Sequence, residues 1–268
     1  MKYRIGVVAK LLGISPEGLR LYERDGILAS RREENGSGYR YYERLDITAL
    51  LRARAYQKYG FSLKETESLI NTDDIDQIVD GYTRRSQQLA EEIARKRRML
   101  DYLNKTSAII ERLPEELWQI RRDTRPGLYR FEFMKGDELM LKPESYGDFQ
   151  RWVSMAPFTF PSQRNEWEAL TEGRDRSFSA LGMMEEDAAA LGVRESELVR
   201  YFPPCSCLYT VVRISRENAS CDKYLAHLRE FVEREGIQVT GDPVARTFLS
   251  MNKRDDYTRY RQIWLPVE

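Results

Sequence analysis

Between Asp76 and Leu113 the chain runs without a proline and with a single glycine, Gly81, near the start. No other feature restricts the fold as much. Leu89, Ile93, Leu100, Leu103 and Ile110 are separated by four, seven, three and seven residues. That spacing is one seam of a coiled coil, interrupted by polar Lys96 and Ser107. A helix of this length spans about 55 Å at 1.5 Å per residue, which outruns a small domain. A partner chain lying along the seam is therefore expected. The plain alternative is a long amphipathic helix packed on its own domain. The stretch "LPEELWQIRRDTRPG" then ends the rod and reads as a linker. The chain thus divides into residues 1–75, a helix over 76–116 and a third part, 127–268.

The first part is dense with short helical signals. In "IGVVAKLLG", Ile5, Val8 and Leu12 lie at helical spacing and Gly13 stops the run. After one residue, "SPEGLRLYERDG" opens a second helix, with Ser15 as cap, Pro16 in its first turn and Gly26 to end it. Two short helices joined by a Gly-containing turn form a helix-turn-helix pattern. Turn chemistry in "ENGSG" sits between "ILASRR" and "YRYY", which pair as a small hairpin, a wing. "LDITALLRARAYQKYG" then reads as a helix ending at Gly60, and Ser62 with Glu65 has the spacing of a capping box for another.

Charge is uneven. The 268 residues carry 43 Lys and Arg against 43 Asp and Glu. Residues 1–70 hold 13 basic against 9 acidic, which leaves 30 against 34 beyond. A basic head on an acidic body points to a polyanion partner for the head only. The start has no long apolar core of a secretory leader, and no run approaches the roughly 18 apolar residues of a membrane span. With three cysteines and no disulfide framework, the protein reads as soluble and cytoplasmic, with no membrane partner.

The third part mixes strands ("LYRFEFM", "SFSALGMM", "CLYTVVRI", "VARTFLSM", "YRQIWLPV") with helices ("YGDFQRWVSM", "CDKYLAHLREFVERE"). Two similar sets suggest an α+β domain with duplicated halves. There is no G-x-S-x-G, no H-E-x-x-H and no Cys-His-acid order. Cys205 and Cys207 make a C-x-C with no second pair at ligand spacing, and the sole histidine, His227, lies near Cys221 on an amphipathic helix. These read as packing residues, and no metal or cofactor is expected.

Residues 3–70 resemble the MerR family of transcription regulators through "YRIGVVAKLLGISPEGLRLYERDGIL", "GYRYYERLDI" and "YGFSLKE", in matching order and spacing. The third part resembles a GyrI-like effector domain, as in the multidrug-sensing branch that includes BmrR, through "YFPPCSCLYTVVR", "YLAHLREFVERE" and "YRQIWLPV". The resemblance implies a multidomain fold: a mainly α winged helix-turn-helix, a long antiparallel coiled-coil dimerisation helix and a C-terminal α+β domain. It implies a homodimer on a pseudo-palindromic double-stranded promoter element, which bends and untwists an overlong spacer so that RNA polymerase meets both hexamers. A lipophilic small-molecule effector would be sensed by the third part. Three other readings stay open: a hydrolase-like GyrI domain fused to a DNA-binding domain, a metal-responsive regulator of the same family, and a constitutive architectural binder.

By the resemblance, Arg20 and Tyr22 fall in the family's L-R-Y-Y-E run, and Tyr39, Arg40 and Tyr42 in its wing motif. Guanidinium forks suit phosphates, and tyrosine hydroxyls fix register. Ser15 and Lys58, before the Gly60 turn, complete the expected DNA-contacting set. Leu21 departs from the aromatic residue usual there. Without the resemblance, Arg20 is a solvated surface charge and Tyr22 packs with Leu19.

The third part is rich in aromatics, which suit flat or lipophilic ligands. Tyr146 and Phe178 align roughly with BmrR pocket aromatics, and Trp152 and Tyr209 join them as candidates. Strand alternation puts Tyr260, Gln262 and Trp264 on one face, expected to line the pocket. GyrI-like domains often carry a buried Glu where Arg246 stands here, and another where Gln262 stands. The loss of both argues against selectivity for cations and toward a neutral or amphiphilic ligand, unless Glu132 or Asp242 substitutes.

Overall fold

A computed structural model describes residues 2–28, 31–32, 40–253 and 256–268, with backbone alone at 31, 32, 253 and 256. The chain forms two compact units, residues 1–97 and 98–268.

In the first unit, β1 (Tyr3–Arg4) leads into α1 (Ile5–Leu12) and α2 (Pro16–Arg24). Gly13 closes α1 at φ 61°, a left-handed conformation that costs a side-chain-bearing residue energy. Ser15 Oγ accepts the Gly18 N–H at 3.0 Å and so caps α2. The expected hairpin is present as β2 (Arg31–Arg32) against β3 (Arg40–Tyr42), and β1 adds a third strand on the far side of β3. α3 (Arg44–Tyr59) ends at Gly60, and α4 (Leu63–Asn71) starts with both halves of the Ser62/Glu65 capping box made. Val8, Leu19, Tyr42, Leu50 and Ala53 share one fully buried core. The long run is helical throughout as α5 (Ile75–Glu111). Its start packs on α4, where a Cβ on Gly81 would come within 3.0 Å of Leu69.

The seam residues of α5 stand out from the surface: Leu89 is 44% exposed, Ile93 42%, Leu100 59%, Leu103 64% and Ile110 37%. A single chain therefore leaves the seam open to solvent.

The second unit is built on one antiparallel sheet of nine strands: β4 (Arg121–Arg125), β5 (Leu128–Lys135), β6 (Glu138–Leu139), β7 (Thr159–Asn165), β8 (Ser177–Met184), β9 (Val199–Phe202), β10 (Cys205–Ile214), β11 (Val244–Lys253) and β12 (Asp256–Pro266). The order is β4-β10-β12-β11-β7-β8-β5-β6, with β9 also on β5. α6 (Leu113–Glu116) follows the rod. Against one face of the sheet lie α7 (Tyr146–Ser154), α8 (Trp167–Thr171), α9 (Glu185–Leu191), α10 (Cys221–Tyr224) and α11 (Ala226–Glu235).

All five strands expected from the sequence form. Residues 121–125, in the stretch read as linker, form a strand instead. "RRDTR" is charged because β4 is a sheet edge, where charge discourages further pairing. β7 carries buried Ser162, Arg164 and Asn165, so its sequence lacks the apolar signature of an inner strand. The expected helix over 221–235 is broken at Leu225 into α10 and α11. Among the described residues no helix is long and apolar enough to cross a membrane.

Candidate DNA-binding and effector sites

α2 presents Arg20 outward, its side chain 54% exposed, with Glu17 at 3.5 Å as its ion-pair partner among the described residues. Lys58 is exposed at the end of α3. Arg40 is partly exposed on the wing, and its Nε stands 2.8 Å from Glu23. Three of the seven expected DNA residues therefore reach the surface as cations. Ser15 is occupied as the α2 cap.

Tyr22 and Tyr42 differ from the expectation of phosphate contact. Tyr22 is buried, and its hydroxyl donates to Gln57 Oε1 at 2.7 Å. Tyr42 has no exposed surface, and its hydroxyl donates to Glu23 Oε1 at 2.5 Å. Burial, with the Glu23 carboxylate next, pushes the Tyr42 phenol well above its ordinary value. Both rings are packed because they lie on the inward side of a domain too thin to spare aromatic area. Glu23 thus ties Tyr42 and Arg40 together and joins the wing to α2. Tyr42→Phe keeps the ring but removes that bond, with an expected loss of about 1.5–3 kcal/mol of stability in urea titration. Tyr39 lies outside the described residues.

In the second unit, paired registers carry Tyr209, Trp264, Gln262, Arg246, Ser162, Arg164, Phe178, Ala180, Glu132 and Arg130 across one continuous sheet face. This is the face opposite the helical layer. Tyr260 shares it through its pairing with Arg213 on β10. Tyr146 and Trp152 stand apart from these six expected ligand residues. Both are on α7, where Trp152 packs edge-on against Phe131 at 5.7 Å. Phe131 points to the other face because strand side chains alternate. Tyr146, 44% exposed, opens that helix.

Toward the β10 side this face forms a hydrogen-bonded line. Gln262 Nε2 donates to the Tyr209 hydroxyl at 3.0 Å, which donates to Glu116 on α6 at 3.1 Å. Burial raises the Tyr209 phenol to about 12. Trp264 lies 6.1 Å from the Tyr209 ring and is buried with it.

Toward the β5 side the face is ionic. Arg130, fully buried, donates to Glu132 at 2.6 Å, Ser162 Oγ at 3.1 Å and the Phe178 carbonyl at 3.0 Å. Arg164 donates to Glu132 at 3.0 Å and Asp242 at 2.7 Å, with its guanidinium 4.0 Å from the Phe178 ring centre. Burial alone would raise the Glu132 carboxyl, but the Arg164 hydrogen bond and the Arg130 charge outweigh it and hold it below the ordinary range. Glu132 is therefore an ionised structural partner, not a poised general base. Sequence reading missed Arg130 and Arg164 as members of this face. The visible signal was Leu128, Arg130 and Glu132 at every second position of "LYRFEF", a charged pair sharing parity with a core leucine.

Among the described residues no three His, Cys, Asp or Glu side chains group as a metal site. Burial raises the Cys207 and Cys221 thiols to about 12, away from the thiolate form that ligates metal.

Residues 3–72 match the family described as MerR HTH family regulatory protein. The chain is 40% identical over 70 residues to the mercuric resistance operon regulatory protein of Serratia marcescens, covering 26% of this chain and 48% of that one. It spans about half the length of such curated relatives. An HTH-type transcriptional regulator of Synechocystis sp. is 32% identical over 106 residues, 38% of this chain and 77% of that protein. A solved structure described as an EcmrR–DNA complex in EcmrR-RPo aligns over 99% of both chains at 17% identity, with a TM-score of 0.39.

Proposed function

Because the chain belongs to the MerR family of helix-turn-helix regulators, we propose that it is a ligand-responsive transcription regulator working as a homodimer on promoter DNA. The observation that carries this reading is the family-matched helix-turn-helix whose outer surface presents Arg20, Arg40 and Lys58. Arg20 and Lys58 serve as phosphate anchors from α2 and α3. Arg40 anchors from the wing, its Nε beside Glu23 and its guanidinium offering a fork to phosphate. Tyr22 and Tyr42 hold these cations in place from inside the domain. The open seam of α5 pairs with its copy in antiparallel fashion and sets the separation of two half-sites. Bending and untwisting of the spacer then brings the promoter into register for RNA polymerase.

The third part acts as a GyrI-like effector domain for a lipophilic small molecule, bound on this second sheet face or at its margins. Exposed Arg20, whose one ion-pair partner among the described residues is Glu17 at 3.5 Å, is the first to test. Arg20→Ala and Arg40→Ala should each weaken promoter binding and flatten the log–log salt dependence by about 0.9 per lost phosphate contact. Affinity and slope both unchanged in a salt titration would remove that residue from the interface.

A further inference from the structure

Cys207, Tyr209, Val211 and Trp264 form one buried cluster, none of them more than 4% exposed. Part of what covers them comes from outside the sheet. Leu113, in α6, and Leu117, the residue after it, pack against this cluster. Yet no residue from Leu113 to Ile120 is itself buried. A buried aromatic floor thus lies beneath a thin, half-exposed segment.

The same segment takes up the polar groups of the floor. Glu116 Oε2 accepts the Tyr209 hydroxyl at 3.1 Å, and its Oε1 stands 3.5 Å from Arg121. Arg121 belongs to β4 and pairs in register with Tyr209, its guanidinium 4.2 Å from that ring centre. Both donors therefore stay with the sheet when α6 moves, and only Glu116 leaves. Leu117 bridges to Val211, and the Trp118 N–H donates to the Val211 carbonyl at 2.8 Å.

Trp118 closes the segment at φ 64°, the one positive φ among the described residues other than glycine. A residue with a side chain adopts this left-handed conformation at a cost, so the contacts of 113–118 hold their own end against strain. Local opening favours segments with few buried contacts and exposed backbone. Arg112 alone separates α6 from the end of α5.

We propose that residues 113–118 are a strap lying across the effector site, and that an effector binds by displacing it. The inference rests on the reading of this face as the effector site and adds its regulation. In place, Leu113 and Leu117 cover the apolar floor, and Glu116 occupies the Tyr209 and Arg121 donors. A ligand reaches these groups only in molecules whose strap is lifted, so its apparent affinity is reduced by the fraction that is open. Displacement moves the chain one residue from the end of α5, which links an occupied site to the helix carrying the apolar seam.

The neutral lipophilic fluorophore N-phenyl-1-naphthylamine, titrated into the full-length protein, tests the strap together with hydrogen exchange read by mass spectrometry. Saturating dye should speed exchange over 113–118, where the Leu117 and Trp118 N–H bonds break, and leave β10 protected. Leu117→Ala should tighten dye binding about five- to tenfold, the factor that three half-buried carbons are worth. Tyr209→Phe keeps the floor ring, removes the bond to Glu116 and should act in the same direction. If Leu117→Ala loses its tertiary circular dichroism, Tyr209→Phe and the wild-type exchange result still decide. Bound dye with exchange over 113–118 unchanged or slowed would overturn displacement and leave the effector reading standing. Dye affinity indifferent to both substitutions would overturn the strap. Dye binding by neither the wild type nor the variants would overturn the effector face as well.

Discussion

Leu100→Glu with Leu103→Glu should yield a monomer by sedimentation equilibrium and lower affinity for a two-half-site promoter fragment by about 10²–10⁴-fold, the loss expected when a bivalent contact becomes monovalent. Both side chains are more than half exposed in the single chain, at 59% and 64%. Glutamate there disturbs no intramolecular packing, and surface substitutions of this kind usually change stability by about 0.5 kcal/mol or less. Across a helix pair the same positions are buried knobs, and two carboxylates per chain placed in that seam repel and lose their hydration. Retention of a dimer with unchanged promoter affinity would mean that the seam is not the interface. A dimer that persists while affinity falls would place these leucines in contact with something other than the second copy.

Arg130→Met should have the largest effect on stability, a loss of about 3–5 kcal/mol, the usual cost of removing one member of a buried ionic network. The methionine fills much of the space. It leaves Ser162 Oγ and the Phe178 carbonyl without that donor, and leaves Glu132 with Arg164 alone. Urea unfolding followed by tryptophan fluorescence reads the change, since all four tryptophans lie in residues 98–268. A shift below about 1 kcal/mol would show that the network contributes nothing net. The same network makes an acid-side prediction. Glu132 has its folded value held below the ordinary carboxylate value, so its contribution is complete above about pH 4.3 and is lost as pH falls through the lower folded value. Burial pushes Arg130 down to about 10, which still leaves it charged at neutral pH, so the pair stays ionised across the physiological range.

The first unit was legible almost residue by residue. Its helices are marked by local chemistry that needs no tertiary partner: Gly13 and Gly60 in left-handed stops, Ser15 and the Ser62/Glu65 box as caps. The second unit was half legible. Strands with near-continuous apolar runs, such as "CLYTVVRI", could be read directly. β4 and β7 could not, because an edge strand carries charge and a strand over an ionic network carries buried polar groups.

The candidate sites divide along the same physical line. Arg20, Arg40 and Lys58 were recognisable from sequence as surface cations in a motif. That Tyr22 and Tyr42 turn inward is decided by which neighbours, Gln57 and Glu23, come within hydrogen-bonding distance after folding. The shared face of Tyr260, Gln262 and Trp264 follows from strand periodicity, but the opposite placement of Trp152 depends on which face α7 covers.

By itself, the sequence determined the elements whose signals are periodic or local: the helix-turn-helix, the wing and the rod with its apolar seam. Only the tertiary structure decided that Arg130, Arg164, Glu132 and Asp242 meet in one ionic network. Residues 78 positions apart, as Arg164 and Asp242 are, leave no joint trace in the sequence, and the cost of an unpaired buried charge exists only once the surrounding chain has excluded water.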